Sequence, residues 1–502
     1  MTPRPEHARR GLPSASWLVA ALVSTVLLLV AVRYGFHGDE FYFVVTGRHL
    51  QAAAPDNPML VPYLAAGWYW LVGGQLWAFR ILPALAAGGF VLLGALTARE
   101  FGASARHQVA AAVAVAMTAL VLAVGHLFET TTFDMVFTAS AIWLLVRALR
   151  ARPDRWAPWI GAGVFAGLAM EVKVLAAAVL ACCLLGVLIT GPRDRLVGPR
   201  PGVAVLIALV LASPNLVWQA THGFPMAGVA ATISGGGSTS STPRLLLVPI
   251  TLLDIGPVVS IVFVVGLVGL LRRARRGVDG WVAVGFLLFF GLLLIAGGKA
   301  YYPAAFVPAV LAAGAGSTLE WIVTRPWRRV LAVALGVVSI VVTPSLTLPI
   351  WPAGSALYTV ATGPNPDLAE ELGWPGYVET IDQVAAGLPP AEWDHTVIVT
   401  TTYKLAAALD VLGPATGRPL PAVYSTHLGY WYWGPPPDSV IDALVVGDVS
   451  TVRLGQMFGE CSVLATVTSP PGVDNDETGI PIRHCSRQRL PWSSVWPLLA
   501  PA

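Results

Sequence analysis

Charge is what this sequence has least of. Asp, Glu, Lys and Arg make up only 12% of its 502 residues, and lysine occurs three times. That excludes an ordinary soluble globule, whose surface needs far more charge. The formal net charge of +3 gives no reason to expect a nucleic-acid partner. The familiar nucleotide and zinc signatures are missing too: there is no P-loop, no Rossmann glycine pattern and no HExxH. Histidines are scattered without metal-ligand spacing. Only four cysteines occur. Cys182 and Cys183 lie in an apolar run and read as packing residues.

What the chain has in abundance is apolar length. It is 55% hydrophobic, with a mean hydropathy of +0.68. Runs of spanning length fall near 16–33, 80–98, 107–125, 134–149, 157–172, 174–190, 203–219, 246–271, 281–297, 301–318 and 328–344. They predict a polytopic α-helical membrane protein with about eleven transmembrane helices. The first run has a basic start and no small-residue cleavage site close behind it, so it reads as a retained span. With the N-terminus placed inside, nineteen basic residues fall on inner segments and six on outer segments near the membrane. This bias predicts a cytoplasmic N-terminus and an external C-terminus. Glycine clusters within the runs read as helix packing.

The expected organisation is a transmembrane domain over 1–345, with a long first external loop at 34–79, and an external C-terminal α/β domain over 346–502. "EFYFVVTGRHL" and "LVPYLAAGWYWLVGG" read as interfacial helices of the first loop. The Gly/Ser/Thr run 234–242 reads as a flexible loop over a site. In the C-terminal part, "TVIVTTTY" and "DALVVGDV" predict short buried strands and "TIDQVAAGL" a helix. Cys461 and Cys485 both fall there, and an external setting favours a disulfide between them. Tyr424, His427, Tyr430, Trp431, Tyr432 and Trp433 make an aromatic patch, read either as a sugar-stacking face or as core.

The polar residues of the outer side are the candidates for chemistry. Asp39 and Glu40 follow the first run, Glu129 and Asp134 flank the start of the fourth, Lys173 begins the sixth, and Lys299 precedes the tenth. All are placed at one face of the bilayer. Lysines there suit a lipid-linked phosphate, and a carboxylate suits removal of a proton from an attacking hydroxyl. Each residue also has a plainer reading. Asp39 and Glu40 suit a solvated loop or a helix N-cap with its acid, and Asp134 suits a cap. Glu129 suits a surface charge, and the lysines suit snorkelling.

The acidic pair, the amphipathic loop and "FRILPALAAG" together resemble the GT-C membrane glycosyltransferases. More narrowly they resemble glycosyltransferase family 39, with its protein O-mannosyltransferases and aminoarabinose transferases. "GLAMEVKVLAAAVL", "SPNLVWQATHGFP" and "GGKAYYPAAFVPAVLAAGA" resemble further family segments. "ELGWPGYVETI", "TTTYKLAAALDVLG" and "YWYWGPP" resemble a C-terminal region of bacterial members. The resemblance implies inverting transfer of a sugar from a polyprenyl-phosphate donor to a protein, glycan or lipid acceptor on the extracytoplasmic face of the plasma membrane. It implies Asp39 as the leading catalytic carboxylate with Glu40 in support. Glu129 and Asp134 would position the acceptor, and Lys173, Lys299, Tyr301 and Tyr302 would hold the donor phosphate. No cofactor is implied, and a bound metal is the alternative. Where many relatives carry an aromatic-Asp-His-Pro-Pro stretch, this chain reads "QAAAPDNPMLVPYL", with Asp56 and Pro58 but no histidine. A transporter or flippase of a lipid-linked saccharide is the competing reading of the same membrane charges.

Overall fold

The computed structural model describes residues 11–151, 155–238, 241–274 and 279–499. Arg4, Arg9, Arg10, Arg152, Arg275 and Arg276, which contribute to the charge bias, lie outside them, as do Thr239 and Ser240 of the Gly/Ser/Thr run. The chain divides into two compact units. The first takes the chain up to Ala31, Asn57–Val61 and Trp77–Leu348; the second takes Val32–Asp56, Pro62–Leu76 and everything described from Pro349 on. The loop 34–79 therefore belongs mostly with the C-terminal part, not with the helices that flank it in sequence. The reason is visible in bonds such as Tyr34 Oη to the Trp351 carbonyl (2.5 Å) and the Gly35 amide to the Glu371 carbonyl (2.9 Å).

The first unit is helical. All eleven apolar runs fall on helix, but eleven full spans are not what the lengths give. Among the described residues, five helices are long and apolar enough to cross a membrane: Leu76–Glu100, Thr130–Arg150, Pro199–Thr221, Tyr302–Val323 and Pro326–Thr347. The number rises to seven if two bent pairs each count as one span. The run at 107–125 bends by 60° between Ala105–Ala116 and Ala119–Gly125. The run at 246–271 bends by 108° between Arg244–Ile255 and Val259–Ala274. Gly256, at φ 103°, and Pro257, which has no amide hydrogen, make that second break. Ser14–Val30, Ala157–Met170, Leu175–Thr190 and Trp281–Ala296 are shorter apolar helices.

Apolar side chains such as Val330, Val333, Val337 and Ile340 stay exposed on Pro326–Thr347. A water-facing helix would not carry such a face; a lipid-facing one does. The unit is membrane-embedded. Inside it, small residues let backbones approach. A Cβ on Gly266 would stand 2.0 Å from the Val310 carbonyl oxygen, and one on Gly314 would stand 2.2 Å from that of Val262. Only glycine fits this mutual contact.

The second unit carries a five-stranded sheet: β1 (Thr396–Thr400), β2 (Val423–Ser425), β3 (Asp442–Val446), β4 (Phe458–Thr466) and β5 (Pro481–Gln488). The order is β2-β1-β3-β5-β4. β1 pairs parallel with β2 and β3, whereas β5 runs antiparallel to β3 and β4. β1 and β3 are buried along their whole length, as their unbroken Val/Ile/Leu content requires. Val397, Val399, Ala443 and Val445 pack under Leu454, Met457, Trp492 and Trp496. Helix Tyr403–Leu412 crosses from β1 to β2. Cys461 and Cys485 are register partners on β4 and β5 and form a disulfide. The predicted helix is present as Trp374–Ala386.

Candidate active site

In the second unit the first external loop opens into helix Gly38–Thr46. His37 is its N-cap, two residues before the acid that the sequence suggested. The His37 imidazole Nδ1 accepts the Asp39 amide (3.1 Å), and the Glu40 carboxylate accepts the His37 amide (2.9 Å). This is a capping box with histidine as the cap residue. Glu40 is fully buried, and its carboxylate helps hold the helix start in place.

Asp39 is half-buried beside the cap. Its Oδ1 accepts the hydroxyl of Tyr403 at 2.6 Å. One turn on, the Tyr42 hydroxyl donates to Asp56 Oδ1 (2.8 Å) and accepts the Gly429 amide (3.0 Å). The rings of Tyr42 and Tyr403 lie 4.7 Å apart. Two tyrosine–carboxylate pairs thus sit side by side. Burial, and then the nearby charge of Asp39, push Asp56 up to about 7, against the bond from Tyr42. Burial also raises both tyrosine hydroxyls well above their usual range, so they remain donors. Next to Tyr403, Lys404 bonds Glu370 (2.8 Å) and Asp476 (2.9 Å). Burial opposes its charge, but Glu370, Asp39, Glu477 and Asp476 outweigh that and raise its pKa. Glu477 is fully buried; burial, then Glu370, move it up to about 8.

The first unit holds the other candidates. Lys173 donates to Thr131 Oγ1 (2.7 Å), and its ammonium stands 5.4 Å from the centre of the Tyr301 ring. The ammonium of Lys299 stands 5.8 Å from the same ring. Tyr302 packs edge-on against Tyr301 at 5.4 Å. Asp134 accepts the Thr138 hydroxyl (2.8 Å) and is within electrostatic range of Lys173 and Tyr302. Lys173, Lys299 and Tyr302 therefore gather around the Tyr301 ring, with Asp134 within electrostatic range of two of them. Glu129 is the N-cap residue of Thr130–Arg150 and is half-buried.

The turn that presents Lys299 depends on Gly297 (φ 88°) and Gly298 (φ 148°), which end helix Trp281–Ala296 in conformations closed to other residues. Thr242, at the end of the Gly/Ser/Thr run, ties this turn down: its amide donates to the Gly298 carbonyl (3.0 Å) and its hydroxyl accepts the Ala300 amide (3.1 Å).

A small pocket at Tyr301 is lined by Phe90, Val121, Phe263, Phe286 and Asp254. Asp254 escapes the sequence reading, although an acid inside the apolar run 246–271 was a usable signal. Tyr403 and Lys404 escape it as well: they lie in a quoted stretch, but nothing local links them to a loop near residue 40. The aromatic patch divides. Trp431 and Trp496 exchange indole-to-carbonyl bonds (3.0 and 2.9 Å), Tyr430 bonds Asp410 (2.5 Å), and Trp433 stacks on His49 at 3.7 Å. Most of it is packing.

Residues 56–218 match the family described as dolichyl-phosphate-mannose-protein mannosyltransferase. No curated protein matches the sequence. Among solved structures, ArnT from Cupriavidus metallidurans bound to undecaprenyl phosphate is similar, with a TM-score of 0.58 at 17% identity over 93% of this chain and 97% of that one. The oligosaccharyltransferase AglB from Archaeoglobus fulgidus, in complex with an inhibitory peptide and a dolichol-phosphate, matches at 0.52 and 14% identity, over 79% of this chain and 63% of AglB. The arabinofuranosyltransferase AftD from Mycobacteria matches at 0.51 and 16% identity, over 95% of this chain and 40% of AftD. At such identities the likeness is one of fold, and the fold is that of the GT-C membrane glycosyltransferases.

Proposed function

We propose that this protein is an inverting glycosyltransferase that takes a sugar from a polyprenyl-phosphate donor and passes it to an acceptor on the extracytoplasmic face of the plasma membrane. The observation that carries the reading is the pair of lysines, Lys173 and Lys299, set over the one ring of Tyr301 in a membrane-embedded unit. Two cations beside hydroxyls and an aromatic face suit the phosphate of a lipid-anchored sugar phosphodiester and of the polyprenyl monophosphate it releases. The fold shared with ArnT bound to undecaprenyl phosphate supports the same donor class.

In this reading Asp39 removes the proton from an acceptor hydroxyl. The acceptor oxygen forms a bond to the anomeric carbon as the bond from that carbon to the donor phosphate breaks. The electron pair leaves with the polyprenyl phosphate, whose charge Lys173 and Lys299 offset. Tyr302 supports the phosphate side, and Glu129 and Asp134 orient the acceptor. The scheme uses no cofactor. The bias of basic residues toward the inner segments supports a cytoplasmic N-terminus and a C-terminal sheet outside.

The test is transfer of radiolabel, in membranes from expressing cells, from a panel of polyprenyl-phosphate sugars into lipid, glycan and protein fractions. Transfer from one donor, lost in Asp39→Asn at equal protein level, is the expected result. Equal transfer by the variant removes Asp39 as the base. No transfer from any donor favours the flippase reading.

A further inference from the structure

We propose that Tyr403 is a positioning residue for Asp39: its hydroxyl fixes the orientation of the carboxylate. The inference rests on the reading of Asp39 as the base and extends the working part of the enzyme to a residue from the C-terminal part of the chain.

Three observations carry it. The hydrogen bond is short, 2.6 Å from Tyr403 Oη to Asp39 Oδ1, the length of a hydroxyl donating to a charged carboxylate. The ring cannot swing away, because Tyr42 and His427 pack on it at 4.7 and 5.1 Å. The backbone on both sides is pinned as well. Thr402 caps helix Tyr403–Leu412 and donates to Glu477 (3.2 Å), while Lys404 is held by Glu370 and Asp476.

The bond has a chemical consequence. A catalytic carboxylate must meet the acceptor hydroxyl in a fixed plane, and small errors of placement are costly. Asp39 stands at the start of helix Gly38–Thr46, where the backbone amides favour a negative charge. Tyr403 adds a directional donor to that field. It keeps its own proton throughout; the proton taken from the acceptor goes to Asp39.

Tyr403→Phe tests this, since it removes one oxygen and keeps the ring packing. The expected result is a kcat lower by about 10- to 100-fold, with the donor KM within twofold and the melting temperature close to wild type. Tyr430→Phe is the control, because it loses an equally short bond to Asp410 in the same unit; its kcat should stay at the wild-type value. A wild-type kcat in Tyr403→Phe, or an equal loss in Tyr430→Phe, overturns the positioning role even where Asp39→Asn is inactive and the proposed function stands. Full transfer by Asp39→Asn is a different pattern, and it defeats the proposed function first.

Discussion

The two units treat their lysines in opposite ways. In the second unit Lys404 lies between Glu370 and Asp476, with Glu477 buried close by. Its charge is consumed in holding a turn and a helix together. In the membrane-embedded unit Lys173 and Lys299 are set against a hydroxyl and an aromatic ring. Asp134 lies within electrostatic range of Lys173, but the printed hydrogen bond of Lys173 goes to a hydroxyl. Of the three lysines in the chain, one is held between carboxylates, and in the proposed function the other two face the donor phosphate.

That contrast can be broken or sharpened in four ways. The largest effect is expected at Asp39. Asp39→Asn should lower transfer by about 10²- to 10⁴-fold, the range for a lost general base, measured as initial rate in detergent or membranes. Next come the lysines. Lys173→Met and Lys299→Met should each reduce kcat/KM for the donor by about 10-fold or more without lowering the melting temperature. Lys404→Met should do the reverse, leaving donor KM alone while destabilising the protein by about 3–5 kcal/mol, because buried acids lose their counter-charge. Equal behaviour of all three lysines would dissolve the comparison.

Third, reduction of the Cys461–Cys485 bridge, which closes a separation of 24 residues, should cost about 2–4 kcal/mol of stability. Thermal unfolding with and without reductant checks it. The smallest effect concerns pH. Glu477 titrates at about 8 when folded, against 4.5 as its ordinary value. Its raised pKa adds stability below about 4.5, and that contribution is lost as pH rises toward 8. Glu477→Gln should therefore gain a few degrees in melting temperature relative to wild type between pH 5 and pH 9. A constant difference across that range would count against the buried-acid account.

Much of the fold was legible because it is written in local patterns. Eleven apolar runs became helix, and the unbroken apolar stretches became β1 and β3, since a strand buried on both faces has no alternation to hide. The bends were not legible from hydropathy alone. The run at 246–271 reads as one span, but Gly256 and Pro257 turn it by 108°. The acids at the mouth of the first run were conspicuous as costly charges, and a cap with its acid was among the readings of the pair; the cap is His37, with Glu40 closing the box. What sequence proximity hid was the partner of Asp39, which lies 364 residues away. The same blindness placed the first loop with its neighbouring helices instead of with the sheet.

That separation also has a meaning in time. At about 5–20 residues per second, a ribosome finishes Tyr403 roughly 20–70 s after Asp39. For that interval the helix bearing the proposed base exists without the residues that lock it. In the proposed function, competence for transfer then waits for the C-terminal part of the chain, and a chain stalled before residue 403 should lack the hydroxyl that bonds Asp39.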